Sequence, residues 1–210
     1  MNFRTSIGLA VLALMLSLSS AAWADTYTYN VVTGSGLTGT SADFTANGKT
    51  ITAYGSVNGD SADLWFKTGG GSETGLGLAV PVNHEIAGNS FIQFDISQLL
   101  AVNPTSLTLS IGSVSPGESY SVWGSNNLLD KGTWLGSSSS PTFSVAGFGS
   151  YKFISISAGS GNVLITGVTA KTDVPEPGSS SLIIAGLMSI VAAGMFFRRG
   201  VTLGPRHRMA

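Results

Sequence analysis

Between Asp25 and Asp173, apolar and polar residues alternate in short runs. Thr26–Val32 sets Tyr27, Tyr29 and Val31 on one side; Phe91–Ile96 sets Ile92, Phe94 and Ile96 against Gln93 and Asp95. Ser106–Ile111 aligns Leu107, Leu109 and Ile111. Thr50–Tyr54, Leu64–Lys67, Tyr120–Trp123, Tyr151–Ser157 and Asn162–Thr169 are of the same type, each closed by Gly, Asn or Ser. A period of two with turn residues at both ends predicts antiparallel sheets that bury one face. Eight or more such strands predict an all-β, two-sheet antiparallel sandwich, jelly-roll-like, over residues 25–170. Ser97–Leu100 reads as one helical turn, and Ser137–Ser140 as a low-complexity loop.

The pattern is different at both ends. An apolar run from Ile7 to Leu18 follows Arg4 and leads into Ala22-Trp23-Ala24, a small-x-small triplet. This order predicts a secretory signal peptide over residues 1–24, cut after Ala24, and hence export through the Sec machinery. A second apolar run, Leu182 to Phe197, carries no charge and is followed by Arg198 and Arg199. With its flanks it reaches ~33 Å as a helix, enough to cross a hydrocarbon layer. The arginines predict that residues 198–210 form a cytoplasmic tail, because cations favour that side. Residues 171–181 read as a linker containing Val174-Pro175-Glu176-Pro177, whose prolines keep the backbone extended.

The order Pro175-Glu176-Pro177, apolar helix, Arg198-Arg199 resembles the PEP-CTERM sorting signal of exported proteins from Gram-negative cells. The resemblance covers about Val174 to Arg199. It implies recognition by an exosortase-type membrane enzyme that removes the tail, transient anchoring, and delivery to the cell surface or an exopolysaccharide matrix. Members usually stop soon after the arginines, whereas this chain continues from Gly200 to Ala210. Within the body, Glu73-Thr74-Gly75-Leu76-Gly77-Leu78 and Phe91-Ile92-Gln93-Phe94-Asp95 resemble stretches of such surface proteins. Val122-Trp123-Gly124-Ser125-Asn126 and Gly161-Asn162-Val163-Leu164-Ile165 are similar to discoidin-type, galactose-binding-like jelly rolls, which implies a fold rather than a ligand.

Composition narrows the chemistry. The 210 residues include 28 glycines, no cysteine and only 10% charged residues, with a net charge of -1. No thiol is available for catalysis, disulfides or thiolate zinc sites. A charge near zero argues against nucleic-acid partners. The body holds one histidine, His84, and no G-x-S-x-G elbow, so nucleophilic catalysis has no recognisable frame. Glu73, Glu85, Asp95 and Glu118 offer carboxylates for a secreted carbohydrate-active hydrolase, the alternative to a non-enzymatic protein. Asp60, Asp63, Glu73 and Glu85 lie in oxygen-rich loops and are candidate calcium ligands, competing with plain turn chemistry; no other cofactor is expected.

Trp65, Trp123 and Trp134 are candidate sugar platforms, and parity sends Trp65 and Trp123 away from the core that Leu64, Phe66 and Val122 define. Trp123 with Asn126 and Asn127 combines an aromatic face with amide groups and predicts a weak polysaccharide site. The body has ten acids, five lysines and no arginine, which points to neutral polymers.

Overall fold

The computed structural model describes residues 24–69 and 73–173. Residues 1–23 of the expected signal peptide, with Ala22, the expected sorting residues Val174, Pro175, Glu176, Pro177, Arg198 and Arg199, and the apolar run 182–197 lie outside the described residues. No helix among the described residues is long and apolar enough to cross a membrane.

Ala24–Asp173 forms one compact unit. Its strands are β1 (Thr26–Asn30), β2 (Gly36–Gly39), β3 (Ser41–Ala46), β4 (Lys49–Val57), β5 (Asp60–Ala62), β6 (Leu64–Thr68), β7 (Thr74–Leu78) and β8 (Ile86–Ala87). These are followed by β9 (Ser90–Asp95), the single-turn helix α1 (Ser97–Leu100), β10 (Ser106–Ile111), β11 (Ser119–Ser125), β12 (Thr133–Ser138) and β13 (Thr142–Ser144). A 3-10 turn at Phe148–Ser150 precedes β14 (Phe153–Ser160), β15 (Asn162–Val163) and β16 (Ile165–Lys171). One sheet runs β13-β10-β16-β7-β6-β2, with β1 also paired to β16. The other runs β12-β11-β14-β9-β4-β3, with β5 folded back on β4. Strands β8 and β15 form a small third ladder. The expected all-β, antiparallel, two-sheet character is therefore present.

Alternation places the core. Tyr27 and Tyr29 of β1, Ile51 and Ala53 of β4, Leu107 and Leu109 of β10, Tyr120 and Val122 of β11, and Ile154 and Ile156 of β14 all join one buried cluster. Their neighbours in sequence point outward, as the pleat requires. Two asparagine-glycine pairs set tight hairpins. Asn47-Gly48 joins β3 to β4 with φ of 48° and 72°, and Asn58-Gly59 joins β4 to β5 with φ of 54° and 89°. Consecutive positive φ values are what a type I′ turn demands, and Asn-Gly supplies them at least cost.

Three expectations change in detail. The run Asn162–Thr169 is not one strand: Leu164 interrupts it and lies over β7, where a Cβ on Gly75 would fall 2.8 Å from Leu164 Cβ. Residues Ser137 and Ser138 belong to β12, so the serine loop is shorter than its composition suggests. Lys171 is the last residue of β16, not linker, and faces Thr26 and Ser106 on its two neighbours. Beyond it, Thr172 N donates to Asp25 O at 3.0 Å, and Asp25 N donates to Thr172 Oγ1 at 2.9 Å. The two ends of the body are thus tied side by side.

Candidate functional site

The outer face of the second sheet carries an aromatic row that begins with a bulge. In β11, Tyr120 and Val122 enter the core, so Trp123 points outward. Val122 faces Gly136 of β12, yet Trp123 faces Trp134, because the register shifts between them and Leu135 is the extra residue. Without that bulge Trp134 would share the inward side of Gly136, two residues on. A bulge reverses side-chain parity, and here it delivers a second tryptophan to the outer face. Gly136 has no Cβ where Phe143 packs: one placed there would sit 2.7 Å from the ring. Trp134 is 56% exposed, and Trp123 is half-buried beside it.

The row continues across the sheet in register: Trp134, Trp123, Ser155 of β14, Gln93 of β9 and Tyr54 of β4. Trp123 Nε1 donates to Ser157 Oγ at 3.0 Å, which fixes the indole plane. Gln93 is fully buried although it lies on the outer face, because the Asn126–Gly132 loop covers it. Its Oε1 accepts from Leu129 N at 2.7 Å, and its Nε2 donates to Asp130 O at 2.9 Å and Asn127 O at 3.3 Å. One amide side chain therefore supplies the loop with the backbone partners that a neighbouring strand would have given.

The loop also holds itself. Ser125 Oγ accepts from Asn127 N at 3.1 Å and donates to Asp130 Oδ2 at 3.4 Å, while Asp130 Oδ1 accepts from Gly132 N at 3.0 Å. Asn126 anchors its foot, accepting from Lys152 N at 3.0 Å and donating to Ser150 O at 3.3 Å. Lys131 reaches back over the sheet, with Nζ 5.5 Å from the Phe91 ring centre and 5.7 Å from that of Trp123. Of the residues expected in a sugar site, Trp123 and Asn127 are at its surface, whereas the Asn126 side chain is committed to the loop. Trp134 joins them through the bulge. Lys131 and Gln93 enter the site only through the folded loop; neither stands out in the sequence.

A second constellation lies on the outer face of the other sheet. There the segment from Ala79 to Ile86 is strapped across β6 and β7. Both outward positions of β7 are glycines because the chain passes close above them: a Cβ on Gly77 would overlap the His84 carbonyl of the strap, and one on Gly75 would crowd Leu164. His84 stacks on Trp65 with ring centres 3.9 Å apart and planes at 12°, so the outward tryptophan expected on β6 is covered by the strap's own histidine. Lys67 Nζ donates to Glu73 Oε2 and Glu85 Oε1, each at 2.5 Å, and Asn83 Nδ2 donates to Glu85 Oε2 at 3.0 Å.

These partners set the charges. Burial raises the Glu85 carboxyl above its ordinary value, and the neighbouring Glu73 carboxyl adds to the rise against the opposing pull of Lys67. The Lys67 hydrogen bond, with help from Glu85, holds Glu73 below its ordinary value. Burial works against the Lys67 charge, but the two carboxylates more than offset it and raise its pKa.

The four candidate calcium ligands do not come together. Asp60 opens β5 after the Asn-Gly turn, and the Asp63 carbonyl accepts from Ala79 N at 2.8 Å. Glu73 and Glu85 do meet, but the Lys67 ammonium lies between them, where a cation would have to sit. Among the described residues no three acids or histidines converge as metal ligands. The other carboxylates considered for hydrolysis have local roles: Asp95 Oδ1 accepts from Ser97 N at 2.8 Å, and Glu118 Oε2 from Ser115 N at 2.7 Å. A cavity of about 420 Å³ beside the strap, lined by Val57, Asn58, Val80, Pro81 and Asn89 among others, holds no charged side chain. Compared with known protein families, curated proteins and solved structures, the chain matches none.

Proposed function

We propose that the chain is a non-enzymatic exported protein whose jelly-roll-like body binds exopolysaccharide at the cell surface or in the extracellular matrix. In this reading residues 1–24 are a signal peptide cut after Ala24. Residues 182–197 are a membrane helix that anchors the chain until an exosortase-type enzyme acts at the Pro175-Glu176-Pro177 signal. The sequence order of signal peptide, body, proline-flanked glutamate, apolar segment and arginines supports the sorting half.

One observation carries the binding half: Trp123 and Trp134 stand opposite each other on an outward sheet face, with Trp134 56% exposed. A large indole held in the open on a rigid strand offers a platform for the apolar face of a sugar ring. Each such contact is weak, so retention on a polymer depends on many copies bound along it. The test is a pull-down of the full chain with its host's own polysaccharide. The Trp134→Ala variant should keep its fold and lose retention about tenfold; equal retention of the two folded proteins would remove this face from the reading.

A further inference from the structure

We propose that the Trp123–Trp134 face is selective for polysaccharides that carry carboxylates, with Lys131 as their counter-ion. This rests on the polysaccharide reading of that face and names its ligand class. The observation behind it is where Lys131 lies. Its ammonium hangs over Phe91 and Trp123 at 5.5 and 5.7 Å, and Trp123 in turn faces the exposed Trp134 across the β11–β12 ladder. Among the described residues the only lysine in an ion pair is Lys67, on the other sheet, so Lys131 has no carboxylate of its own. The acid next to it in sequence, Asp130, is tied to Gly132 N and Ser125 Oγ.

Aromatic rings hold an ammonium by their quadrupoles while leaving its charge unneutralised. Here they hold that charge over Trp123, whose strand partner Trp134 is the exposed platform for a sugar ring. A hexose unit with a carboxylate at its rim presents the matching pair, an apolar ring face and an anion a few ångströms away. Overall charge opposes this, since the body has ten acids and five lysines. At physiological salt, however, charges more than ~8 Å away are largely screened, so the nearest ion decides. Composition pointed to neutral polymers; the local arrangement points to acidic ones.

The probes are polygalacturonate and its methyl ester, which share one backbone and differ in charge. They are to be titrated against the full chain in a mild detergent at low and high salt. The acidic polymer should bind about two- to fivefold more tightly per site, as expected of one exposed ion pair. High salt should remove that margin, and Lys131→Gln should abolish it, so that the variant binds the acid and the ester equally. Lys131→Arg should keep it. Equal affinity of the wild type for both polymers, a preference that survives in Lys131→Gln, or binding of neither polymer would overturn the assignment. Loss of ester binding in Trp134→Ala keeps the polysaccharide reading alive even then. Polymer binding that ignores Trp134 removes that reading as well.

Discussion

Gln93 has the largest structural role of any single side chain near the candidate site. Its amide makes three hydrogen bonds to the backbone of the Asn126–Gly132 loop from a position with no solvent access. Gln93→Leu fills the same space but leaves Leu129 N and two carbonyls without their partner. At ~1–3 kcal/mol per buried orphan, partly relieved by water as the loop lifts, the loss of stability should be about 2–4 kcal/mol. Thermal unfolding measures it, and a variant as stable as the wild type would mean the loop is held by other contacts. The preference for the acidic polymer should fall too, since Lys131 leaves with the loop. Parity alone was enough to predict that Trp123 faces outward. It was not enough for Trp134, whose orientation depends on one extra residue in β12, nor for Gln93, which reads in sequence as an ordinary solvent-facing position. Long-range closure of the loop buries it.

At the scale of elements, seven of the eight expected runs each overlap a single strand, because they alternate cleanly and are closed by turn residues. The strands that escape this reading are those whose pattern is set by close packing. β7 reads Thr-Gly-Leu-Gly-Leu, where the leucines enter the core, Gly77 admits the strap and Gly75 admits Leu164. Gly77→Ala should therefore be costly: the new methyl meets the His84 carbonyl and the strap must lift. Overpacking of this kind costs about 1–3 kcal/mol. Chemical denaturation would detect it, and a neutral result would show that the strap moves freely.

The strap also predicts a pH response. Glu85 has its carboxyl raised above the ordinary 4.5, so just above that pH the folded chain keeps a proton that the unfolded chain has released. Its contribution to stability is complete below the ordinary value and is lost as pH rises through the folded one. Glu85→Gln removes that proton's linkage, so the stability difference between wild type and variant should move against the wild type as pH rises above the ordinary 4.5. A difference that stays constant as pH rises from below 4.5 would contradict the shift. Neither the strap nor the Lys67 bridge was legible in the sequence, where Lys67, Glu73 and Glu85 are spread over nineteen positions and only the fold brings them together.

For the whole molecule, the sorting reading makes its own demand. Replacing Glu176, or Arg198 and Arg199 together, should leave protein that keeps its C-terminal tail in the membrane fraction, whereas the wild type should be shortened at that end. Intact-mass analysis separates the two, and identical processing of both variants would dismiss the signal.

The side-by-side ends of the body have a mechanical meaning. Asp25 and Thr172 are hydrogen-bonded, and Thr26 faces Lys171 at the start of an antiparallel ladder. A load applied between the two ends would peel β1 from β16 one rung at a time, the weakest direction for such a pair. A load applied at Asp173 along the strand instead enters through β16, which is flanked by β1 on one side and β10 on the other. Rungs on both flanks would then share the tension in shear. Tension entering through β16 would therefore meet two ladders, where tension between the ends meets one.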